Sequence, residues 1–356
     1  MTMPLIRRPV ALRVVDARDP GEQARWAAFV TVHPGATPFH LPAWSLAVAE
    51  GCGQTPHLIV AEHGDGSLAG LLPLTEVHSP LFGRALVSTG FAVDGGILAE
   101  AHAVSPLVEA MGMLAARLSC PTLELRGGAD PGAGWCCDAE TYLGFARPLG
   151  ADDEAELAAI PRKQRAEVRL AMAGNLAVTV GRNEASRAAH HAVYAQSVRN
   201  LGTPVFPRAL FDRVLDRFGE TADIMTVHHQ GVPVASVLSL YWRGTVYPYW
   251  GGGTLAARGL RANERLYFAL MSHARARGCT RFDFGRSKAG TGPAAFKKNW
   301  GFEGRPLRYW KRSMDGRPPR EINPLSPRYR LQVAAWRRLP LPVANRLGPL
   351  IARGLG

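Results

Sequence analysis

The sequence predicts a mixed α/β (α+β) chain built as two similar halves, and three observations carry that expectation. At 356 residues the chain is too long for one ordinary core, and two domains of about 150 to 180 residues follow. Segments of helical periodicity and segments of strict alternation are interspersed along its whole length. Both halves place helices first, then a strand meander, then one helix and one strand. Without residue-level repeat identity, the duplication rests on that order of elements. The expected division is residues 1–150, residues 151–322 and a basic tail over 323–356.

In the first half, Ala11 to Val15 and His57 to Glu62 read as strands, Gly64-Asp65-Gly66 as a hairpin turn, and Leu68 to Val77 as the returning strand. Pro20 to Val32, Ala43 to Glu50 and Val104 to Leu118 carry helical signals, and Leu123 to Arg126 and Tyr142 to Pro148 read as short strands. The acidic run Asp152-Asp153-Glu154 then opens a helix. In the second half, Leu176 to Val180 is an expected strand, Glu184 to Arg199 and Arg208 to Phe218 are expected helices, and Ile224 to His228 is a strand. Val232 to Trp242 and Thr245 to Trp250 form an expected hairpin through Arg243-Gly244. A helix beginning at Asn263 stops at Gly278, and Arg281 to Phe284 alternates polar and apolar residues before a glycine-rich loop and a short helix with two lysines.

Hydrophobic residues make up 47% and charged residues 20% of the chain, the balance of a globular protein. No run reaches the roughly 18 apolar residues that cross a bilayer. The N-terminal residues lack a long apolar stretch and a small-residue cleavage site, so the expectation is a cytoplasmic protein. Cys52, Cys120, Cys136, Cys137 and Cys279 form neither a disulfide framework nor a zinc spacing, and the pairs His190-His191 and His228-His229 diverge as adjacent residues. No metal is expected.

The net charge of +13 is concentrated at the C-terminal end, where residues 303–356 hold twelve Lys or Arg against three acids. Arginines 328, 330, 337, 338 and 346 are interleaved with Leu331, Trp336, Leu347 and Leu350. Such a segment suits an anionic membrane surface at the inner face of the plasma membrane, a basic extension packed across the domain, or a nucleic-acid footprint.

Several motifs are only superficial. Asp283-Phe284-Gly285 has no H-R-D loop before it, Thr291-Gly292 stands where a P-loop needs Lys-Ser/Thr, and no G-x-S-x-G elbow exists. Nucleophilic serine hydrolysis and nucleotide-driven phosphoryl transfer are therefore not expected.

The stretch from Asn263 to Phe302 contains N-x-x-L, a helix, a strand ending in D-F-G, a loop and F-K-K-x-W-G-F. In this order it resembles the C-terminal half of the FemAB family of aminoacyl and acyl transferases, in the version associated with PEP-CTERM/exosortase exopolysaccharide loci. Pro161 to Arg169, Asn200 to Pro207 and Asn323 to Pro327 are similar to further segments of that group, so the resemblance spans roughly residues 160–356, with looser similarity around Phe39-His40 and Asp94-Gly95-Gly96. It implies two tandem copies of the GCN5-related N-acetyltransferase (GNAT) fold and a part in exopolysaccharide or cell-envelope biosynthesis.

Acyl transfer needs a held donor carbonyl, an acceptor that loses its proton, and positive or N–H dipoles where the oxyanion develops. The resemblance puts the oxyanion or donor-binding role on Lys297. The competing reading of Lys297-Lys298 is a solvated pair on a surface helix. Asp283 takes the acceptor's proton, orients Lys297, or caps the glycine loop. Tyr249 stands where the GNAT fold splays two strands around the acyl arm, with Gly251, Gly252 and Gly253 after it; plain core is its alternative. Arg258-Gly259 retains part of a pyrophosphate-binding loop, but Arg261 occupies the place of a second glycine. The donor is therefore left between an acyl-CoA and an aminoacyl-tRNA.

Arg162, Lys163 and Arg165, with Arg169, form a basic helix that suits the diphosphate of a sugar-nucleotide or lipid-linked sugar acceptor, or a solvated face that Glu167 interrupts. Asn263, Arg286 and Lys298 complete the expected substrate-binding set. The alternatives to an N-acyl transferase acting on an amino sugar are a catalytically silent membrane-surface scaffold and an aminoacyl-tRNA-dependent protein aminoacyltransferase.

Overall fold

The computed structural model describes residues 10–317 and 330–355. The first of two compact units runs through β1 (Ala11–Val15), α1 (Pro20–Val32), α2 (Pro42–Cys52), β2 (Thr55–Glu62), β3 (Leu68–Ser79), β4 (Gly83–Ser88), β5 (Leu98–Ala99), α3 (Ala101–Arg117), β6 (Thr122–Arg126) and β7 (Cys136–Asp138). The second begins with β8 (Tyr142–Pro148), α4 (Asp153–Ala159), α5 (Arg162–Ala173), β9 (Ala177–Gly181), α6 (Glu184–Leu201) and α7 (Arg208–Phe218). It continues with β10 (Ala222–His229), β11 (Val232–Trp242), β12 (Thr245–Gly253), α8 (Leu255–Gly259), α9 (Ala262–Ala276), β13 (Arg281–Lys288), α10 (Gly292–Asn299) and β14 (Gly304–Pro306). The strand β15 (Tyr309–Ser313) returns to the first unit, whereas α11 (Arg330–Trp336) and α12 (Leu341–Ala352) belong to the second.

Local chemistry accounts for many of these limits. The side chains of Asp19, Asp152 and Asn183 accept N–H groups in the first turns of α1, α4 and α6. Left-handed Gly53 and Gly202 end α2 and α6. Arg243 and Gly244 both take positive φ, 46° and 71°, which joins β11 to β12 with the twist that a two-residue hairpin needs.

The first sheet has the order β1-β2-β3-β4-β6-β15-β7, with β5 paired to β3, and the second has the order β14-β8-β13-β12-β11-β10-β9. Each is an antiparallel meander followed by one parallel pair, β4 with β6 and β12 with β13. A helix connects each pair, α3 in the first and α9 in the second. Leu107, Met111 and Leu114 of α3 pack with Ile59, Leu72, Leu86 and Leu123 in the first core. Leu266, Leu270 and Met271 of α9 pack with Val237, Val246 and Phe282 in the second. Each such buried side chain stabilises its unit by roughly 1.5–3 kcal/mol.

The two compact units divide between Asp138 and Ala139, whereas the boundary expected from the sequence is at residue 150. The strand Tyr142–Pro148, expected to close the first domain, instead pairs antiparallel with β13, and β15 pairs antiparallel with β6. An edge strand needs hydrogen-bond partners on its open side, and alternation in sequence specifies a strand but not the edge it satisfies. The strands β4, β5, β7, β14 and β15 were not expected. The segment Asn323 to Pro327 lies outside the described residues. Among the described residues no helix is long and apolar enough to cross a membrane, and no cluster of three or more His, Cys, Asp or Glu is arranged to hold a metal. All five cysteines are free thiols.

Candidate active site

The site begins with a break in the second sheet. The strands β12 and β13 pair only at Thr245–Arg281 and Val246–Phe282, and then diverge. Opposite this opening, β11 and β12 are in register at Leu238–Trp250 and again at Ser239–Pro248, so Tyr249 is the extra residue of a β-bulge. Tyr249 is half-buried, with its ring edge-on to Trp250 at 4.9 Å.

The glycines that follow Tyr249 admit side chains from two helices. A Cβ on Gly252 would lie 2.3 Å from Ser197 Oγ of α6. On Gly251 it would lie 3.0 Å from the Tyr267 hydroxyl, and on Gly253 it would lie 3.1 Å from Asn263 Oδ1 and 2.6 Å from Ala257 Cβ. The absence of side chains thus brings the hydroxyls of Ser197 and Tyr267 and the amide of Asn263 onto one strand end. Burial pushes the Tyr267 pKa up to about 12, which keeps its hydroxyl neutral. Its ring packs against Phe284 at 4.6 Å and faces Phe296 at 5.8 Å and Trp300 at 6.3 Å, joining β12 to β13 and α10.

On the other side of the opening, β13 carries its own bulge between Asp283 and Arg286. Gly285 has φ of 68°, a left-handed conformation that favours glycine, and Asp283 Oδ1 accepts its N–H at 2.9 Å. Lys297 of α10 donates to the carbonyls of Gly285 at 3.2 Å and Arg286 at 2.9 Å. The third N–H of its ammonium has no acceptor among the described residues. The ammonium lies 5.4 Å from the ring centres of both Phe145 and Phe284.

Burial lowers the Lys297 pKa to about 7, with Asp283 pulling it back up and Arg286 pushing it further down. Burial raises the Asp283 pKa against the opposing effects of the Gly285 N–H, Arg281 and Lys297. Asp283 therefore caps the loop and also bears electrostatically on Lys297. Lys298 points away and is exposed, because neighbouring side chains on a helix diverge.

The remaining predicted residues separate into two groups. Asn263 stands in the first turn of α9 beside the glycines, and Arg286 lies over the Tyr142 ring at 4.8 Å. Arg258 and Gly259 are exposed on α8, with open space where a Gly259 Cβ would point. Arg162 and Lys163 are exposed at the start of α5. Arg165 does not join them. Its guanidinium folds back onto the carbonyls of Ala158 at 2.8 Å and Ile160 at 2.9 Å, where it satisfies the end of α4. Glu167, expected to interrupt the basic face, instead binds Arg261 at 2.6 Å. Arg261 itself takes the left-handed φ of 55° at the head of α9, a conformation usually left to glycine, and the helix start has no side-chain cap. The Arg261 side chain therefore caps none of the first N–H groups of α9.

Ser197 and Tyr267 were not anticipated. Tyr267 lies four residues after Asn263 on one helix, so their shared face was readable, whereas nothing in the sequence signals the approach of Ser197 to Gly252.

Residues 162–298 match the acetyltransferase (GNAT) domain family, a span that holds the glycines, Tyr249, Asp283 and Lys297. Among solved structures the chain is similar to FemX, with a TM-score of 0.66 and 15% identity over 82% of this chain and 96% of that one. It is also similar to a tandem GNAT protein from the clavulanic acid biosynthesis pathway, with a TM-score of 0.55 and 14% identity over 85% and 98% of the two chains. A third likeness is to L-PGS from Bacillus licheniformis, with a TM-score of 0.53 and 14% identity over 90% and 98%. No curated protein matches the chain in sequence. The fold is that of two tandem GNAT-like units, and the family match makes the second an acyltransferase domain.

Proposed function

We propose that the chain transfers an acyl or aminoacyl group from a phosphate-bearing carrier to the amine of an amino sugar or similar precursor in exopolysaccharide or cell-envelope assembly. The observation that carries this reading is the opening between β12 and β13, with the glycine-lined strand end on one side and the buried Lys297 ammonium on the other.

In this reading the donor carbonyl lies in the opening and the acceptor amine attacks its carbon. As the C–N bond forms, negative charge develops on the carbonyl oxygen, and the third N–H of Lys297 meets it. An ammonium already out of water stabilises that charge more strongly than a solvated one. The Gly285 and Arg286 carbonyls hold the ammonium in place, and Asp283 keeps it charged by favouring its protonated form. Collapse of the intermediate expels the carrier's thiolate or ribose oxygen, and the proton lost by the amine returns to that leaving group. Tyr249 and the neutral Tyr267 hydroxyl are the nearby groups suited to relay it.

The uncapped start of α9, with Arg258 and Gly259 beside it, suits the carrier's phosphates, whether of acyl-CoA or of aminoacyl-tRNA. Arg162, Lys163 and Arg286 would take the diphosphate of a nucleotide- or lipid-linked acceptor, and Lys298, which points away, would not. An association with PEP-CTERM/exosortase loci belongs to the same proposal.

Calorimetric titration of nuclease-treated protein with acetyl-CoA, longer acyl-CoAs and charged tRNA tests the reading, each with Lys297→Ala in parallel. Micromolar binding of one carrier, with turnover lost in the variant, supports the transferase and names its donor. Silence from all carriers overturns it in favour of a scaffold.

A further inference from the structure

The C-terminal helices offer a surface that acyl transfer does not use. From Ile322 to the end the sequence holds six arginines and no acidic residue. The helix α12 buries Ala344, Gly348 and Ala352 along one edge. A Cβ on Gly348 would lie 2.9 Å from the backbone nitrogen of Val205, so the helix seats at backbone distance. Arg337, just after α11, donates to the Leu201 carbonyl at 3.2 Å, and Arg199 donates to the Arg337 carbonyl at 3.0 Å. Both helices are thereby tied to the second unit.

Opposite the buried edge, α12 presents Val343, Leu347 and Leu350, which are 42%, 42% and 57% exposed, with Arg346 among them. On α11, Leu331 is 84% exposed, and Arg338 is exposed at the turn after it. Packing against the domain therefore accounts for one face of the segment and leaves an apolar, basic face outward.

We propose that this outward face docks the protein on an anionic lipid bilayer, with Val343, Leu347 and Leu350 entering the interface and Arg338 and Arg346 meeting the headgroups. Leucines spaced along one side of a helix and flanked by arginines are the two attractions that hold a helix in the plane of a membrane surface. A second copy of the chain would bring two uniformly basic faces together, and a phosphate backbone would not cover the leucines. The proposal stands independently of the donor and acceptor assigned to the active site.

Co-sedimentation of the full chain tests it, using phosphatidylcholine vesicles with and without roughly one third phosphatidylglycerol. The expected result is partition at least about tenfold stronger into the anionic vesicles, reduced about tenfold again by Leu347→Glu/Leu350→Glu. The melting temperature should be unchanged, since both positions are exposed. Three results would overturn the proposal: no partition into anionic vesicles, partition indifferent to the double substitution, or a dimer in solution that the double substitution abolishes. Binding to tRNA that Arg346→Glu removes, with no vesicle partition, would assign the face to nucleic acid and overturn it equally.

Discussion

The two units share a strand order yet treat the gap beside their parallel pair in opposite ways. In the first unit, β4 and β6 pair at three positions, and the chain after β4 then folds back into the space beyond. Ile97 forms a parallel bridge with Gly128, and Ala129 donates to the Ile97 carbonyl at 3.0 Å. Thr89 and Phe91 take positive φ of 44° and 61°, Arg126 donates to the Ala92 carbonyl, and the Tyr309 hydroxyl donates to the Val93 carbonyl. In the second unit the chain after β12 turns away into α8, and the strand edges face glycines, hydroxyls and Lys297. One architecture thus yields a gap filled by backbone and a gap lined by functional groups. In the first unit backbone hydrogen bonds bridge the space beyond the parallel pair, whereas in the second the pairing of β12 with β13 stops after two positions.

The sharpest way to break this contrast is Lys297→Ala. It should lower kcat by about 10²–10³-fold with little change in thermal stability, as for loss of an oxyanion donor. A variant that keeps its rate would remove Lys297 from the chemistry and make the second gap as inert as the first. Next in size is Gly96→Ala in the first unit, where a Cβ would lie 2.0 Å from the Gly127 carbonyl oxygen. Because the obstacle is backbone, we expect destabilisation of about 3 kcal/mol in denaturant unfolding. A neutral result would mean that the first gap is looser than its hydrogen bonds indicate.

The Lys297 pKa gives a test by direction. At about 7 it lies below the ordinary lysine value, so between these two pH values the unfolded chain binds more protons than the folded one. Stability should therefore rise with pH across that window. A rate that needs the ammonium should fall over the same rise, with an apparent pKa near 7, and Asp283→Asn should move the fall to lower pH. A rate that climbs through pH 7 would identify Lys297 as a base.

Two histidines probe what the units have in common. His40 in the first and His190 in the second are fully buried, and burial lowers each pKa to about 3. His40 Nδ1 accepts the Thr37 N–H at 3.0 Å, and His190 Nδ1 pairs with Ser236 Oγ at 3.0 Å. The unfolded chain gains protons first as pH drops below the ordinary histidine value. Stability should thus fall from about pH 6.5 towards 3, and His190→Asn should flatten that slope. The smallest effect belongs to Gly259→Ala, where a Cβ enters open space. Stability should stay within about 0.5 kcal/mol, so any loss of donor binding would report on the ligand alone.

Much of this was legible in the chain. Pro20–Val32, Arg208–Phe218 and Val232–Trp242 were readable to the residue, since caps, periodicity and the Arg243-Gly244 turn are local signals. Lys297, Asp283, Tyr249 and Asn263 were singled out, and all four line or adjoin one opening. Short strands such as β7 and β14 carry too few residues to alternate. The bend of Arg165 back to the Ala158 and Ile160 carbonyls was not readable, because helical spacing shows which way a side chain leaves the helix but not whether it turns to a nearby carbonyl.

The sequence by itself determined the types of the longer elements, the mixed fold repeated along the chain and the concentration of positive charge at the C-terminal end, because each depends on composition or on neighbours a few residues apart. Only the tertiary structure decided that β8 and β15 pair in the sheets they do, that Tyr249 and Gly285 sit at bulges, and that α12 buries its small residues and leaves its leucines outward. Those outcomes turn on which edges, carbonyls and surfaces distant segments leave unsatisfied, and that appears only when the backbone is folded.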